Sequence, residues 1–136
     1  MVGLRQLNMA ISEANMTGFY RYARVDLDIL SRLDPRRFLC TTACVGGIMK
    51  DEKAEYLACQ LHEIFRENFR LEIQHHPQAI QVETNLKILG LYKKHHWPLI
   101  YGTDSHYIRH EDALLRKELL LSSGINNAYE DEFDLY

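Results

Sequence analysis

The feature that most restricts the fold of this 136-residue chain is the spacing of its β-prone runs. Residues 37–43 read Arg-Phe-Leu-Cys-Thr-Thr-Ala, residues 69–74 alternate as Phe-Arg-Leu-Glu-Ile-Gln, and residues 98–102 read Pro-Leu-Ile-Tyr-Gly. Two stretches of helical periodicity separate them. Residues 51–67 carry Ala54, Leu57, Leu61, Ile64 and Phe65 on one face, and residues 79–94 carry Ile80, Val82, Leu86 and Leu89. Strands joined through helices of that length cannot be hairpins, and such crossovers build parallel sheet with right-handed connections. The expected class is therefore α/β, with about three parallel strands alternating with helices and residues 111–121 forming the helix after the last strand.

Three strands are few for this class. A closed α/β barrel takes about eight and an open doubly wound sheet about six, so the chain is expected to complete its sheet elsewhere. Ahead of the strands, Leu4, Leu7, Ile11 and Ala14 recur at helical spacing over residues 4–17, with Gly18 as a stop. Asp26 is placed to cap a short helix running through residue 33. No repeat or linker divides the sequence, and only Pro35, Pro77 and Pro98 interrupt it. One unit is expected, with leading helices over 1–34, three strand-helix units over 35–124, and an acidic tail over 125–136 suited to an edge or an interaction.

Composition narrows the function classes. With 46% hydrophobic residues the chain has material for a core. A net charge of -3 supplies no global basic field, so any nucleic-acid role must be local or borrowed from a partner. No stretch approaches the roughly eighteen apolar residues of a membrane span. The opening Met1-Val2-Gly3-Leu4-Arg5-Gln6 lacks the apolar core of a secretory signal, so a cytoplasmic location without membrane partners is expected. Three cysteines without a dense framework fit a reducing compartment, with Cys40 and Cys59 read as buried apolar residues.

Each expected strand delivers a donor at or near its carboxyl end: Cys44 after the first, Glu72 with His75 and His76 around the second, Asp104 and His106 after the third. Parallel strands bring those ends together. Zinc accepts thiolate, imidazole and carboxylate, and a mixed oxygen and nitrogen set also suits manganese. Plainer readings stand beside this one: Cys44 as a small residue at the Gly46-Gly47 turn, Asp104 as a turn cap, and His75-His76 as a wet strand exit before Pro77. Glu72 faces away from Phe69, Leu71 and Ile73. His95-His96 reads as a helix-end pair complementing the dipole, and His62 and His110 as solvated. Neither a phosphate loop nor a Gly-x-Ser-x-Gly elbow is present, and no Cys/His nucleophilic pair is indicated.

Five local strings occur in a telling order. Gly18-Phe19-Tyr20 with Ala23-Arg24-Val25-Asp26, then Cys44-Val45-Gly46-Gly47, then Asn68-Phe69-Arg70-Leu71-Glu72-Ile73-Gln74-x-His76, then Thr103-Asp104-Ser105-His106-Tyr107, and finally Glu111-Asp112-Ala113 resemble the polymerase and histidinol phosphatase (PHP) domain of bacterial DNA polymerase III alpha subunits. The resemblance spans roughly residues 4–124. It implies a distorted seven-stranded β/α barrel, of which this chain is a partial, carboxyl-terminal piece, with divalent metals (zinc or manganese, with magnesium a further option) at the strand ends. By matching position, Cys44 resembles the ligand of the Cys-x-Gly-Gly string, and Asp104 and His106 the closing Asp-x-His ligands. Glu72, His75 and His76 are implied to support the ligands or touch substrate.

The departures carry equal weight. Ala23 stands where the family usually has Pro, and His75 where an acidic or polar residue is common. The family's opening His-x-His strand is expected before residue 1, and the palm carboxylates of nucleotidyl transfer are absent. The resemblance thus implies a section of the polymerase alpha subunit in DNA replication, with a metal-dependent phosphoesterase or exonuclease-type site that is incomplete and inactive in this chain alone. Implied partners are the remainder of the alpha subunit, DNA through the intact polymerase, and a second copy of the chain through the open sheet edge. Two alternatives remain: a standalone PHP-like phosphoesterase completed by oligomerisation, and a noncatalytic interaction module.

Overall fold

In the computed structural model, which describes residues 2–124, the elements in chain order are α1 (Val2–Met16), β1 (Phe19–Tyr20), β2 (Tyr22–Ala23), α2 (Leu27–Ser31), β3 (Cys40–Thr41), α3 (Ala54–Phe65), β4 (Phe69–Gln74), α4 (Ala79–His95), β5 (Leu99–Gly102) and α5 (Asp112–Ser122). Single 3-10 turns occupy Pro35–Arg37, Ile48–Lys50 and Arg66–Asn68. The acidic tail expected over 125–136 lies outside the described residues.

Strands β3, β4 and β5 form a parallel sheet with β4 in the middle. Cys40 pairs with Phe69, and Leu71, Glu72, Ile73 and Gln74 pair with Leu99, Ile100, Tyr101 and Gly102. The period-two pattern sorts β4 as expected. Phe69 and Leu71 are fully buried, while Arg70 and Glu72 are half-buried on the opposite face. Under the apolar face lie Ala58, Leu61 and Phe65 of α3, Ile88 and Leu91 of α4, and Met49 from the turn after β3. Burying side chains of this size contributes roughly 1.5–3 kcal/mol each, so this layer is the main source of stability. Cys40 and Cys59 pack against it as partly buried apolar residues.

Several expectations are corrected in detail. The first parallel strand is only Cys40–Thr41 rather than 37–43, because Pro35–Arg37 closes a 3-10 turn that Asp34 caps by accepting the Arg36 amide at 3.2 Å. Asp26 does cap α2, accepting the Ile29 amide at 2.9 Å, but the helix ends at Ser31. Between α1 and α2 an antiparallel hairpin, Phe19↔Ala23 and Tyr20↔Tyr22, was not anticipated.

The buried face of α4 is Gln81, Thr84, Ile88 and Leu91, whereas Ile80, Val82 and Leu86 point outward. Hydrogen bonds explain the rotation. Asn85 donates from Nδ2 to the Gln74 carbonyl at 2.8 Å and accepts the Gln74 amide at 3.4 Å, while Gln81 donates to Asn85 at 2.9 Å. A polar clamp on the end of β4 therefore turns the apolar stripe away. In α1, likewise, only Ala10 and Ala14 are buried, and Leu4, Leu7 and Ile11 are exposed.

His62 is not a solvated side chain. Its ring stacks on the buried Trp97 at 4.9 Å, and His95 stacks on the same indole at 4.2 Å with an interplanar angle of 8°. Phe69 meets the same indole edge-on at 5.4 Å. This ring cluster ties α3 and the end of α4 to the start of β5. His96 differs from its neighbour: exposed and at φ 57, it ends α4 with its amide donating to the Tyr92 carbonyl at 2.8 Å.

Candidate functional site

Because the three strands are parallel, their following loops leave from one edge of the sheet. That edge carries Cys44, His75 with His76, and Asp104 with His106. Chemistry in α/β sheets concentrates at such edges.

The loop after β3 is set by two threonines and a glycine. Thr42 is buried; its amide donates to the Arg70 carbonyl at 3.2 Å, and its hydroxyl accepts the Glu72 amide at 2.9 Å. Ala43 then adopts φ 58, with its amide donating to the Thr41 hydroxyl at 3.2 Å. Cys44 is half-buried, and its carbonyl accepts the Gly47 amide at 2.8 Å. A methyl group on Gly47 would overlap the Thr42 carbonyl, so the second glycine of Cys44-Val45-Gly46-Gly47 is required by packing. Gly46 meets no such obstacle, since an added carbon would sit 3.8 Å from the Cys44 sulfur.

Glu72 lies on the polar face of β4, and both its oxygens are engaged. Thr41 donates to one at 2.6 Å and the Gln74 side-chain amide to the other at 2.8 Å. Gly102, opposite Gln74 in the register, makes room for this carboxylate, because any side chain there would overlap it. Gln74 is 2% exposed, and its Oε1 has no hydrogen-bond partner among the described residues. An acceptor left so is costly, about 1–3 kcal/mol. Of the two histidines that follow, His75 is exposed and His76 buried, so the wet-exit reading holds for the first alone.

The loop after β5 is more open. Asp104 is half-buried at φ 50, Ser105 donates to the Thr103 hydroxyl at 2.7 Å, and His106 is exposed beside the buried Tyr107. Asp104 and Ala43 thus put non-glycine residues in the left-handed region at two of the three strand exits, a conformation that carries strain.

Among the described residues, no three His, Cys, Asp or Glu side chains gather closely enough to hold a metal ion. Cys44, Asp104 and His106 share the sheet edge without forming a centre by themselves, and Glu72 is committed to Thr41 and Gln74. The expected ligands are therefore a set of separate donors among the described residues. Cys40 is unsuited to ionise, since burial pushes its thiol up to about 11. What the sequence reading missed is the Thr41, Glu72, Gln74 and Gly102 network. Its one available signal was a glycine closing a strand next to a period-two run with Glu and Gln on one face.

A three-stranded parallel sheet with polar strand exits defines an α/β protein of a very common architectural class, and sequence similarity makes the reading more specific. Over 140 residues the chain is 29% identical to DNA polymerase III subunit alpha of Borreliella burgdorferi, covering 96% of this chain. It is 28% identical over 125 residues to the subunit of Thermus aquaticus and 29% identical over 125 residues to that of Aquifex aeolicus, each covering 87% of the chain. The chain spans 12%, 10% and 11% of those relatives' lengths. No model of a known protein family matches it. The similarities support a section of a DNA polymerase III alpha subunit.

Proposed function

We propose that this chain acts in DNA replication as a section of a DNA polymerase III alpha subunit, the carboxyl-terminal part of its PHP domain. The observation that carries the reading is the near-complete match of this chain to about a tenth of several alpha subunits. A sheet with an uncovered strand supports it: Leu99, Ile100 and Tyr101 of β5 are exposed, and no residue of α5 is buried. In this reading those surfaces dock on the remainder of the alpha subunit, and DNA is reached through the intact polymerase. No helix among the described residues is long and apolar enough to cross a membrane, and we place the protein in the cytoplasm.

Cys44, Asp104 and His106 are proposed to contribute to a divalent metal centre, zinc or manganese, whose other donors come from outside this chain. His75 and His76 would then lie at its margin, with Glu72 holding the strand face beneath. This chain alone is expected to be inactive as a phosphoesterase. The test is the encoded sequence immediately upstream of Met1. An in-frame segment with a His-x-His strand upholds the proposal, and a terminator followed by a start codon at Met1 overturns it.

A further inference from the structure

The hairpin formed by β1 and β2 has no part in the strand-end site, and it presents a dense set of exposed aromatic and basic side chains. Residues 19–24 read Phe-Tyr-Arg-Tyr-Ala-Arg, three aromatic residues and two arginines with no acid among them. Phe19, Tyr20 and Tyr22 are 62%, 66% and 76% exposed. The guanidinium groups of Arg21 and Arg24 lie over the Tyr20 ring, 5.9 and 5.3 Å from its centroid. Neither forms an ion pair among the described residues. The nearest acids in sequence are engaged elsewhere: Glu13 pairs with Arg32 at 2.6 Å, and Asp26 caps α2.

This surface is held in shape. The Arg24 amide donates to the Gly18 carbonyl at 3.2 Å, and the Gly18 amide to the Ala14 carbonyl at 3.1 Å, which fastens the hairpin to the end of α1. A side chain on Gly18 would overlap the Arg24 carbonyl, so this fastening needs glycine. At the tip, Arg21 adopts φ 63, where glycine would be the easier residue. An arginine kept at a strained tip, beside exposed aromatic rings and without an ion pair among the described residues, is displayed to something outside the fold.

We propose that the hairpin is a binding site for single-stranded nucleic acid, with Tyr20 and Tyr22 stacking on bases and Arg21 and Arg24 holding phosphates. Such strands are bound by aromatic platforms flanked by cations, and each base offers a π-face whatever its identity. An acidic peptide would neutralise the arginines but leave the rings without a stacking partner. A net charge of -3 for the whole chain makes the site local, with the affinity concentrated at the hairpin. The inference does not depend on the family reading, because it rests on the exposure, charge and geometry of the hairpin itself.

The test is anisotropy of a labelled oligothymidine of about 12 nucleotides titrated with the 136-residue chain over a range of salt. Binding is expected to weaken log-linearly with salt. Tyr22→Ala should weaken it about tenfold, and Arg24→Ala should flatten the salt slope by about 0.7. Arg21→Gly should flatten it similarly while easing the backbone at the tip, so that loss cannot come from a collapsed hairpin. Absence of binding at low salt, equal binding by all three variants, or binding of polyglutamate in place of oligothymidine would each overturn the proposal.

Discussion

Strands β4 and β5 lie side by side in one sheet, yet they live in different environments. Phe69 and Leu71 of β4 are fully buried, while Leu99 and Tyr101, which pair with Leu71 and Ile73 in the register, are 37% and 62% exposed. Both strands carry apolar residues on that face. The difference lies in what surrounds them: among the described residues β4 has a neighbouring strand on each side and two helices beneath, whereas β5 has a strand on one side only and is followed by a helix none of whose residues is buried. An apolar strand face states a requirement for cover, and only the rest of the fold determines whether this chain supplies it.

The sharpest way to break this comparison is to truncate one side chain on each strand. Phe69→Ala removes a ring packed edge-on against Trp97 and should cost about 3–5 kcal/mol. Leu99→Ala should cost about 1 kcal/mol or less, since the side chain is already partly in water. Urea unfolding of both variants decides the matter, and equal losses would show that β5 is as well covered as β4.

A second prediction concerns the polar face that the two strands share. Gly102→Ala should destabilise the fold by roughly 1–3 kcal/mol by forcing the Glu72 carboxylate off Thr41 and Gln74. In a Glu72→Ala background the same substitution should cost much less, because the obstructing carboxylate is gone. Additive losses in that cycle would disprove the contact. Weaker still should be Leu115→Lys or Leu119→Lys on α5. Both positions are exposed, so changes within about 0.5 kcal/mol are expected by the same urea assay.

How much of this was legible in the sequence depends on whether a residue's partners were local. Period two over Phe69–Gln74 gave both the strand bounds and the face of Glu72, and the parallel arrangement followed from helix-length crossovers. The face of α4 was misread because apolar periodicity singled out Ile80, Val82 and Leu86, whereas Gln81 and Asn85 turn inward to bind each other and, through Asn85, the end of β4. Polar side chains turned inward by hydrogen bonds leave no trace in apolar periodicity. The hairpin escaped for another reason: strands of two residues are too short to show a period at all. At the candidate site, the common sheet edge of Cys44, Asp104 and His106 was foreseeable from parallel topology. That Glu72 would spend both oxygens on Thr41 and Gln74 was not, because it depends on register.

The smallest expected effect tests the junction between the covered and uncovered strands. Glu55 of α3 receives Lys94 at 2.6 Å and His95 at 2.8 Å, and His95 in turn stacks on Trp97 at the entrance to β5. Hydrogen bonding from Lys94, then from His95, holds the Glu55 carboxyl below its ordinary value. A carboxyl depressed in the folded state contributes stability above its unfolded value, and that contribution disappears as pH falls through the folded one. Glu55→Gln should therefore be less stable than the native chain at neutral pH, with the gap closing as pH falls from neutral through the acid range. Because the group is at the surface, added salt should narrow the gap at neutral pH. Urea midpoints of the two chains across that range, at low and high salt, measure it. A gap that persists in acid would mean that Glu55 acts through packing alone, and that β5 is held to the covered half of the molecule by the ring contacts of Trp97 without electrostatic help.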